Sequence, residues 1–429
     1  MKKKIFWSLH KLKLYPQVLS VKETLNQSGY VSYKKRLGHI LTFNNVPIIP
    51  YSELLDAHQN GLFHKGGPIW PDWSKQMEAR QCNNGIPVDN IPSFPSYKID
   101  SFIEEPLVWC GPIVDHFGHQ IADFSTRLLH SKHILPKAKF VFSAKNPYYF
   151  DFFNTPSFFR EILNWYNISP NQVKIISQPC IAKELSVAPQ SEQLNNLGPS
   201  QEYLDLLDCL VEKQLIKKPK QGTIYISRAG MNIRFAGEVY LEQLLRKINV
   251  KIIRPETMNL KTQLSEYESS ERLIFSEGSA IHGIQLLGRC INEVQVLNRR
   301  PKAKIAKNFI DVRADNLTYF DITKGILYKV NDKNNIIYNR GLSILDEDAL
   351  LDYFSLVFPS LISIWNYEDY LEARDHDIMD WIHKEMEMRV SNRKFSSSSL
   401  SLFQSELIET MGKLGLNQFI PIVEKFSTH

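Results

Sequence analysis

The sequence lacks an apolar run long enough for a membrane helix. Such a helix needs about 18 consecutive apolar residues, and no stretch of this chain approaches that length. Residues 1–4 (MKKK) carry the positive charge with which a secretory signal begins, but only residues 5–7 (IFW) are apolar before polar residues return. The apolar core of a signal peptide is therefore missing, and we expect a cytoplasmic protein.

Cysteine pairs and nucleotide-binding fingerprints are missing as well. The five cysteines are far apart and include no CxxC pair, which argues against a disulfide framework and against a zinc cluster. We expect reduced and mostly buried thiols at these positions: Cys82, Cys110, Cys180, Cys209 and Cys290. The chain contains neither a Walker A sequence nor a GxGxxG motif, so neither an ATPase nor a dehydrogenase is indicated.

The sequence has no large excess of positive or negative charge. The chain of 429 residues has 51 Lys and Arg residues against 46 Asp and Glu residues, a formal net charge of +5. Hydrophobic residues make up 43% and charged residues 23%, which is typical of a globular protein. The small positive excess fits an anionic small ligand or peripheral contact with the inner face of a membrane. It is too small to indicate a nucleic-acid partner.

Four regions differ in their sequence pattern. The first is irregular and rich in Pro, Gly, Asn and aromatic residues, so we expect loops packed on the domain that follows. In the two middle regions short apolar runs alternate with helical patterns, which predicts two α/β domains. The last region contains a predicted β-hairpin and then amphipathic helices, with a flexible linker at 396–399. The expected bounds are 1–100, 101–195, 196–300 and 301–429, with the polar segment 189–199 as the domain crossing.

Seven apolar runs are predicted strands. They cover residues 106–110, 139–143 and 173–176 in the first α/β region, and 223–228, 250–253, 272–276 and 293–297 in the second. The second set, with helices between its members, is typical of half of a doubly wound sheet. Ligands of such sheets bind beyond the carboxyl ends of the strands, so the loops after these strands are the candidate site.

The histidine segment, residues 115–130, follows the first predicted strand. On a single helix it would place Phe117, Ile121, Phe124 and Leu128 on one stripe, and His116, His119, Asp123, Arg127 and His130 on nearly the opposite one. Three interpretations of the polar stripe are open at this point. It is a solvated helix face, a metal site built from His116, His119 and Asp123, or an acid/base site in which a carboxylate poises a histidine.

The glycine turn, residues 277–283, follows the strand predicted at 272–276. Gly278 would let a ligand approach the backbone, Ser279 is a favourable N-cap, and the first helical turn would attract an anion. At the same sheet edge Arg228 and Arg234 could clamp a diphosphate, and Glu256 could accept a hydrogen bond from a ribose hydroxyl. This cationic edge favours the acid/base interpretation of the histidine segment, because together they supply both halves of a group-transfer site.

These stretches, taken together, resemble the glycosyltransferase family 61, whose bacterial members are often associated with capsular and other surface polysaccharides. The resemblance covers about residues 107–297 and rests on short motifs in a characteristic order. The motif residues are His116, Phe117, Gly118, His119, Asp123 and Arg127, then residues 225–228, Arg234, Glu238, Pro255, Glu256 and Gln263, then residues 277–282. Many members have His-Gly-Ala where this chain has Glu277, Gly278 and Ser279.

The resemblance implies a fold and an activity. The fold would be two Rossmann-like domains facing each other across a cleft, the GT-B arrangement, here with an appended, mainly helical C-terminal module. The activity would be that of an inverting hexosyl- or pentosyltransferase that uses a nucleotide-sugar donor, a glycan or lipid-linked glycan acceptor, and no metal or other cofactor. The acid/base residues would come from His116, His119 and Asp123. The donor-binding residues would be Arg228, Arg234, Glu238, Glu256, Gln263, Glu277, Gly278, Ser279 and His282.

Two other functions remain alternatives. A non-catalytic nucleotide- or glycan-binding protein could keep the same fold and the same anion site. A metal enzyme could use the two imidazoles and the carboxylate of the histidine segment.

Overall fold

The computed structural model describes most of the chain from residue 101 onwards and parts of what precedes it. The described residues are 32–33, 36–50, 54–56, 62–64, 67–72, 75–83, 86–87, 99, 101–144, 146–194, 196–289, 291–392 and 395–425. The predictions for residues 1–7, for Cys290 and for much of the irregular N-terminal region lie outside this set.

The first sheet is mixed and gathers strands from the N-terminal and first α/β regions. Its strands are β1 (Leu41–Ile49), β2 (Gly67–Pro68), β3 (Phe102–Ile103), β4 (Leu107–Ile113), β5 (Lys139–Ala144), β6 (Val173–Ile176) and β7 (Cys180–Val187). The order is β6-β5-β4-β7-β1-β2, with β3 beside β7. Strands β3 to β7 pair in parallel, whereas β1 is antiparallel to both of its neighbours. Every residue of β4 is buried, as its continuous apolar run predicts.

The second sheet is entirely parallel. It contains β8 (Thr223–Ile226), β9 (Lys251–Ile253), β10 (Arg272–Ser276), β11 (Ile291–Asn298) and β12 (Ala314–Asp321). The order is β9-β8-β10-β11-β12, so the strand order reverses between β8 and β10. In open α/β sheets the ligand crevice lies at this switch point, beyond the carboxyl ends of the two strands. Strand β12 carries this sheet past residue 300, to Asp321.

A hairpin and helices complete the chain. The hairpin consists of β13 (Thr323–Val330) and β14 (Ile336–Leu345), joined by a turn at 331–335, which confirms the β-hairpin predicted in the last region. Among the described residues the α-helices are α1 (Phe117–His119), α2 (Leu128–Ile134), α3 (Ser157–Trp165), α4 (Gln201–Gln214), α5 (Glu238–Lys247), α6 (Leu260–Glu268), α7 (Lys307–Ile310), α8 (Glu347–Val357), α9 (Tyr367–Ser391), α10 (Ser397–Leu414) and α11 (Ile420–Lys425). No helix among the described residues is both long enough and apolar enough to cross a membrane.

One apolar core connects the two sheets. The same cluster of buried side chains includes Val108 and Phe142 of the first sheet and Ile226 and Phe275 of the second. The indole N–H of Trp165 also donates to the carbonyl oxygen of Leu286, at 3.1 Å. The α/β class with parallel sheets is therefore confirmed, while the arrangement of two domains across a cleft stays a prediction.

The segments predicted as a domain crossing and as a flexible linker both pack into the fold. Segment 189–199 is largely buried where it is described, and its Gln190 side chain donates to the carbonyl oxygens of Cys82 and Asp123, at 3.2 and 2.7 Å. The prediction of a flexible linker at 396–399 is wrong. The Ser396 hydroxyl caps α10 by accepting from the Ser399 amide at 3.2 Å, so these serines begin a helix.

The cysteine prediction agrees with the described thiols. Cys82, Cys110 and Cys180 are free and buried, and Cys209 is free and exposed. Burial raises the pKa of Cys180 to about 11, so this thiol is unreactive at neutral pH.

Candidate active site

The histidine segment is not the single helix that its periodicity predicts. Helix α1 ends at His119, a π-helical turn spans Gln120–Phe124, and α2 starts only at Leu128. All residues from 120 to 130 are buried, so only His116 and His119 of the predicted polar stripe reach the surface. The buried Gln120 side chain stabilises the break, because its Oε1 accepts from the Val114 amide at 3.0 Å and its Nε2 donates to Ser125 at 3.3 Å.

The π-helical turn separates the polar residues that a single helix would place on one stripe. His116 and His119 lie at the surface side of the segment and Asp123 lies beneath them. Arg127 points elsewhere and donates to the carbonyl oxygens of Ala79 and Arg80, at 3.3 and 3.2 Å. The prediction that Arg127 shares a face with the histidines is therefore wrong, and this arginine anchors the N-terminal region instead.

His119 and Asp123 form a hydrogen-bonded pair. His119 Nδ1 lies 2.9 Å from Asp123 Oδ2, and the Asp123 side chain is inaccessible to solvent whereas that of His119 is 44% exposed. Burial raises the pKa of Asp123, and the hydrogen bond from His119 opposes that shift. Because an ionised carboxylate can only accept, Nδ1 of His119 carries the proton and its Nε2 is left as an exposed base.

His116 has the opposite tautomer. Its Nδ1 accepts a hydrogen bond from the His119 amide at 3.2 Å, so a neutral His116 carries its proton on Nε2. The two imidazole rings are 4.7 Å apart. Partial desolvation and the charges of His119, Arg340 and Arg228 lower the pKa of His116 to about 4. At neutral pH His116 is thus a hydrogen-bond donor beside the base on His119.

The glycine turn meets the histidine segment at Gly118. A methyl group at Gly118 would lie 2.9 Å from His282 Cδ2 and 3.1 Å from Ser279 Cβ, so only glycine permits this approach. The turn itself differs from the prediction, because Gly278 occupies the cap position and Ser279 is the first residue of a 3₁₀-helix, Ser279–Leu286. The contact places His282 and Ser279 next to His116.

His282 belongs to a buried polar chain. Its Nδ1 lies 2.7 Å from Gln285 Oε1, and Gln285 Nε2 donates to Glu192 at 3.1 Å. Glu192 in turn pairs with Arg313 at 3.1 Å. Since Gln285 uses its amide group on Glu192, its oxygen must accept from His282, which leaves Nε2 of His282 unprotonated. Burial and the neighbouring His119, His116 and Arg300 lower the pKa of His282 to about 4.

We expect His282 to make the fold sensitive to acid. This imidazole is neutral in the folded protein down to about pH 4, whereas in the unfolded chain it takes up a proton near pH 6.5. The unfolded state therefore binds more protons between these values, and the free energy of unfolding falls by up to about 3 kcal/mol as the pH is lowered through this range.

Urea denaturation of wild type and His282→Gln at several pH values checks this expectation. The wild-type free energy of unfolding should decline more steeply below pH 6.5 than that of the variant. His133→Gln serves as a control, because His133 is exposed on the neighbouring α2 and should leave the slope unchanged. Parallel pH profiles for wild type and His282→Gln would refute the assignment.

Arg228 packs directly on Gly278. The first follows β8 and the second follows β10, so the pair sits at the switch point of the second sheet. A methyl group at Gly278 would lie 2.6 Å from Arg228 Cζ and 2.9 Å from Arg228 Cδ, so the absent side chain makes room for the guanidinium rather than directly for a ligand. Arg228 Nε donates to the carbonyl oxygen of Ile233 at 2.9 Å, and its second edge remains for an anion.

Two of the predicted donor-binding residues are buried carboxylates that hold the arginine-bearing loops in place. Glu238 is fully buried and accepts hydrogen bonds from the Arg228 amide at 2.8 Å and the Tyr225 hydroxyl at 2.9 Å. Glu277 is also fully buried and pairs with Arg300, accepting from its amide at 2.8 Å and from its guanidinium. Both carboxylates therefore fix the loops that carry the arginines, and neither reaches solvent.

The three remaining predicted donor-binding residues lie apart from this centre or beneath it. Gln263 is buried behind the 3₁₀-helix, where its Nε2 donates to Tyr267 at 2.9 Å. Glu256 is exposed at the sheet edge against Gly230. Arg234 is buried and its Nη2 lies 2.8 Å from Asp377 Oδ1, which gives the guanidinium a partner in α9.

Asp377 should stabilise the loop that carries Arg228. Its Oδ1 accepts from Arg234 and its Oδ2 accepts from the Gly237 amide at 2.9 Å. We expect Asp377→Asn to lower the free energy of unfolding by about 2 kcal/mol, measured by urea denaturation, because charge-assisted hydrogen bonds are lost in a buried place. Asp375→Asn, on the same helix but at a more exposed ion pair, should cost less than about 1 kcal/mol. Equal losses in both variants would contradict this role.

Three further cationic residues lie at the candidate site that were not predicted from the sequence. Arg299 and Arg300 directly follow β11, at the same carboxyl edge as Arg228, so the strand pattern alone could have indicated them. Burial and the nearby charges of Arg228 and Arg300 lower the pKa of Arg299 to about 10, while the carboxylates of Glu277 and Glu238 oppose that shift. Arg340 comes from β14, and its charge lowers the pKa of His116. No sequence signal linked that strand to the site.

The metal interpretation finds no ligand set in the described part of the chain. There the His, Cys, Asp and Glu side chains form no group of three or more that could hold a metal ion. The Nδ1 atoms of His116 and His119 are both occupied, the first by the His119 amide and the second by Asp123.

Comparison with known proteins supports the family suggested by the motifs. None of the curated proteins compared with the chain matches it. The matching family model is that of Glycosyltransferase 61, and it covers residues 117–290. That range contains the His119–Asp123 pair, Arg228 and the glycine turn, and the match supports assignment of this part of the chain to the glycosyltransferase 61 family.

Proposed function

We propose that this protein is an inverting glycosyltransferase. It moves a hexosyl or pentosyl group from a nucleotide-sugar donor to a hydroxyl group of a glycan or lipid-linked glycan, without a metal ion. The observation that carries the proposal is the contact of Gly118 with Ser279 and His282, which joins a histidine–carboxylate pair to an arginine-lined glycine turn. The family match over residues 117–290 is consistent with this activity.

His119 is the base in this proposal. Its Nε2 removes the proton of the acceptor hydroxyl group, whose oxygen forms the new bond to the anomeric carbon of the donor. Asp123 holds the imidazole through Nδ1 and stabilises the imidazolium that results. Inversion follows when the attacking oxygen and the leaving group lie on opposite faces of the sugar.

Arg228 and the glycine turn receive the leaving group. The bond between the anomeric carbon and the donor phosphate breaks, and the nucleoside diphosphate departs with both electrons. Its developing negative charge is met by Arg228 and by the amide groups at the start of the 3₁₀-helix. Fixed cations of this kind supply the charge stabilisation that a divalent ion would otherwise provide.

The resemblance also supports a cellular setting. Bacterial members of the family that the motifs resemble are often associated with surface polysaccharides, so we propose that the acceptor is a growing surface glycan. The protein would then work in the cytoplasm, at the inner face of the membrane. Its small net positive charge of +5 is compatible with peripheral contact to an anionic membrane surface.

A nucleotide-sugar screen tests the proposed function. Purified protein is first tested by thermal shift with nucleotides and nucleotide sugars, because a ligand at 100 times its dissociation constant stabilises a protein by about 2.7 kcal/mol. The ligands that bind are then incubated with simple sugar acceptors, with and without EDTA. Transfer that persists in EDTA and gives a product of inverted anomeric configuration supports the proposal.

Other outcomes separate the alternatives. Nucleotide binding without any hydrolysis or transfer would identify a non-catalytic binding protein. Transfer abolished by EDTA and restored by a divalent ion would overturn metal independence. A product with retained anomeric configuration would overturn inversion while leaving the activity itself standing.

A further inference from the structure

Strand β14 contains a bulge of three residues, 338–340. The neighbouring residues Tyr328 and Lys329 of β13 pair with Gly341 and Ile337 of β14, which are four positions apart in sequence. Residues 338–340 therefore leave the ladder and protrude from it. Bulges of this kind change the direction of side chains and are frequent next to active sites.

Gly341 makes the return of the bulge possible. A methyl group at this position would lie 2.8 Å from Ile326 Cγ2 and would overlap the carbonyl oxygen of Leu327. The backbone of β14 can therefore rejoin β13 so closely only because a glycine stands there.

The bulged strand is attached to the candidate active site through Ser343. The Ser343 amide donates to the carbonyl oxygen of Arg234 at 3.0 Å, and its own carbonyl oxygen accepts from the Ala236 amide at 2.9 Å. The Ser343 hydroxyl donates to the carbonyl oxygen of Arg299 at 3.0 Å. The hairpin is thus fixed to the loops that follow β8 and β11, on either side of the glycine turn.

Arg340 is the charged end of the bulge. It is exposed and makes no hydrogen bond or ion pair with any described residue. It nevertheless lies close enough to His116 for its charge to lower the pKa of that imidazole. Arg228 acts on the same imidazole, and Arg300 acts on Arg228. Cations that lie near one another repel, and an anion that binds between them relieves this repulsion and is attracted by each of them.

We propose that Arg340, carried to the site by the β14 bulge, is a further substrate-binding residue that takes a phosphate group opposite Arg228. The proposal rests on the proposed function, which supplies two sources of phosphate: the donor diphosphate and the diphosphate of a lipid-linked acceptor. It extends the site to the C-terminal hairpin, which lies outside the matched residues 117–290.

Direct binding measurements test the proposal without requiring turnover. Isothermal titration of full-length protein with inorganic pyrophosphate, UDP, GDP and farnesyl diphosphate is compared for wild type, Arg340→Gln and Lys333→Gln. Lys333 is exposed in the turn of the same hairpin, so its replacement removes the same charge away from the bulge. We expect Arg340→Gln to weaken pyrophosphate binding about tenfold, the range of one charge-assisted contact, and Lys333→Gln to change it less than about twofold.

The binding data show which phosphate group Arg340 binds and whether it binds one at all. If Arg340→Gln also loses affinity for a nucleoside diphosphate, Arg340 binds the donor. If it loses affinity for farnesyl diphosphate instead, Arg340 binds the acceptor. Unchanged pyrophosphate affinity in Arg340→Gln, an equal loss in both variants, or no pyrophosphate binding by wild type overturns the proposal. Loss of binding in Arg340→Gln without any nucleotide-sugar turnover by wild type would refute the proposed function alone.

Discussion

Replacement of His119 by alanine is expected to lower kcat about 10²- to 10⁴-fold, because the reaction loses the general base that deprotonates the acceptor. The folded structure should survive, since the His119 side chain is 44% exposed and, among the described residues, its ring is hydrogen-bonded to Asp123 alone. The affinity for a nucleoside diphosphate should stay within about twofold of wild type, because the leaving group contacts the opposite side of the site. Initial transfer rates at saturating donor, with circular dichroism as the check on folding, measure the effect.

Two further variants make this result specific. His133→Ala removes an exposed histidine from α2 and should retain full activity. Asp123→Asn keeps the shape of the side chain but replaces an acceptor by an amide that can also donate, so the tautomer of His119 is no longer fixed and activity should fall nearly as far. Transfer rates of His119→Ala within a few-fold of wild type would remove His119 from the mechanism.

The second large effect is expected from a single methyl group at Gly278. In Gly278→Ala the new atom occupies the space of the Arg228 guanidinium, whose Cζ lies 2.6 Å from the position of that atom. A flexible side chain can move aside, so the fold should persist while the cation leaves its place. We expect kcat to fall about 10²- to 10³-fold, the loss that follows removal of one charge-stabilising group.

A double-variant cycle tests whether the two residues act as one unit. Arg228→Ala alone should lower kcat to the same extent, and the combined variant should be no worse than either single variant, because both remove the same contact. Gly412→Ala is the matched control. Its added methyl group would sit 3.9 Å from the nearest atom, on α10, and should leave activity unchanged. Additive losses from Gly278→Ala and Arg228→Ala would show that the glycine matters for another reason.

The α/β rhythm could be predicted because it is local. Each strand of the second sheet is a short apolar run, and the carboxyl ends of parallel strands necessarily share an edge. That rule alone predicts that Arg228 and Gly278 lie close together, since they follow the neighbouring strands β8 and β10. The same rule would have indicated Arg299 and Arg300, which directly follow the next strand, β11.

Features that depend on distant partners could not be predicted in this way. The π-helical turn after His119 depends on where the buried side chain of Gln120 finds its partners, which periodicity does not record. Arg234 was a reasonable ligand for a phosphate, but its partner, Asp377, lies 143 positions along the chain. The position of Arg340 follows from a ladder register that is set by pairing with β13 and by Gly341.

The continuous core has a consequence for how the molecule can be divided. The matched segment, residues 117–290, starts after β4, the central strand of the first sheet, and stops before β11 and β12 of the second. A fragment trimmed to those limits would keep His119, Asp123, Arg228 and Gly278, yet would lose β1 to β4 of the first sheet and β11 and β12 of the second. The limits of the matched segment are therefore not the limits of a folding unit, and the candidate site residues depend on strands that lie outside it.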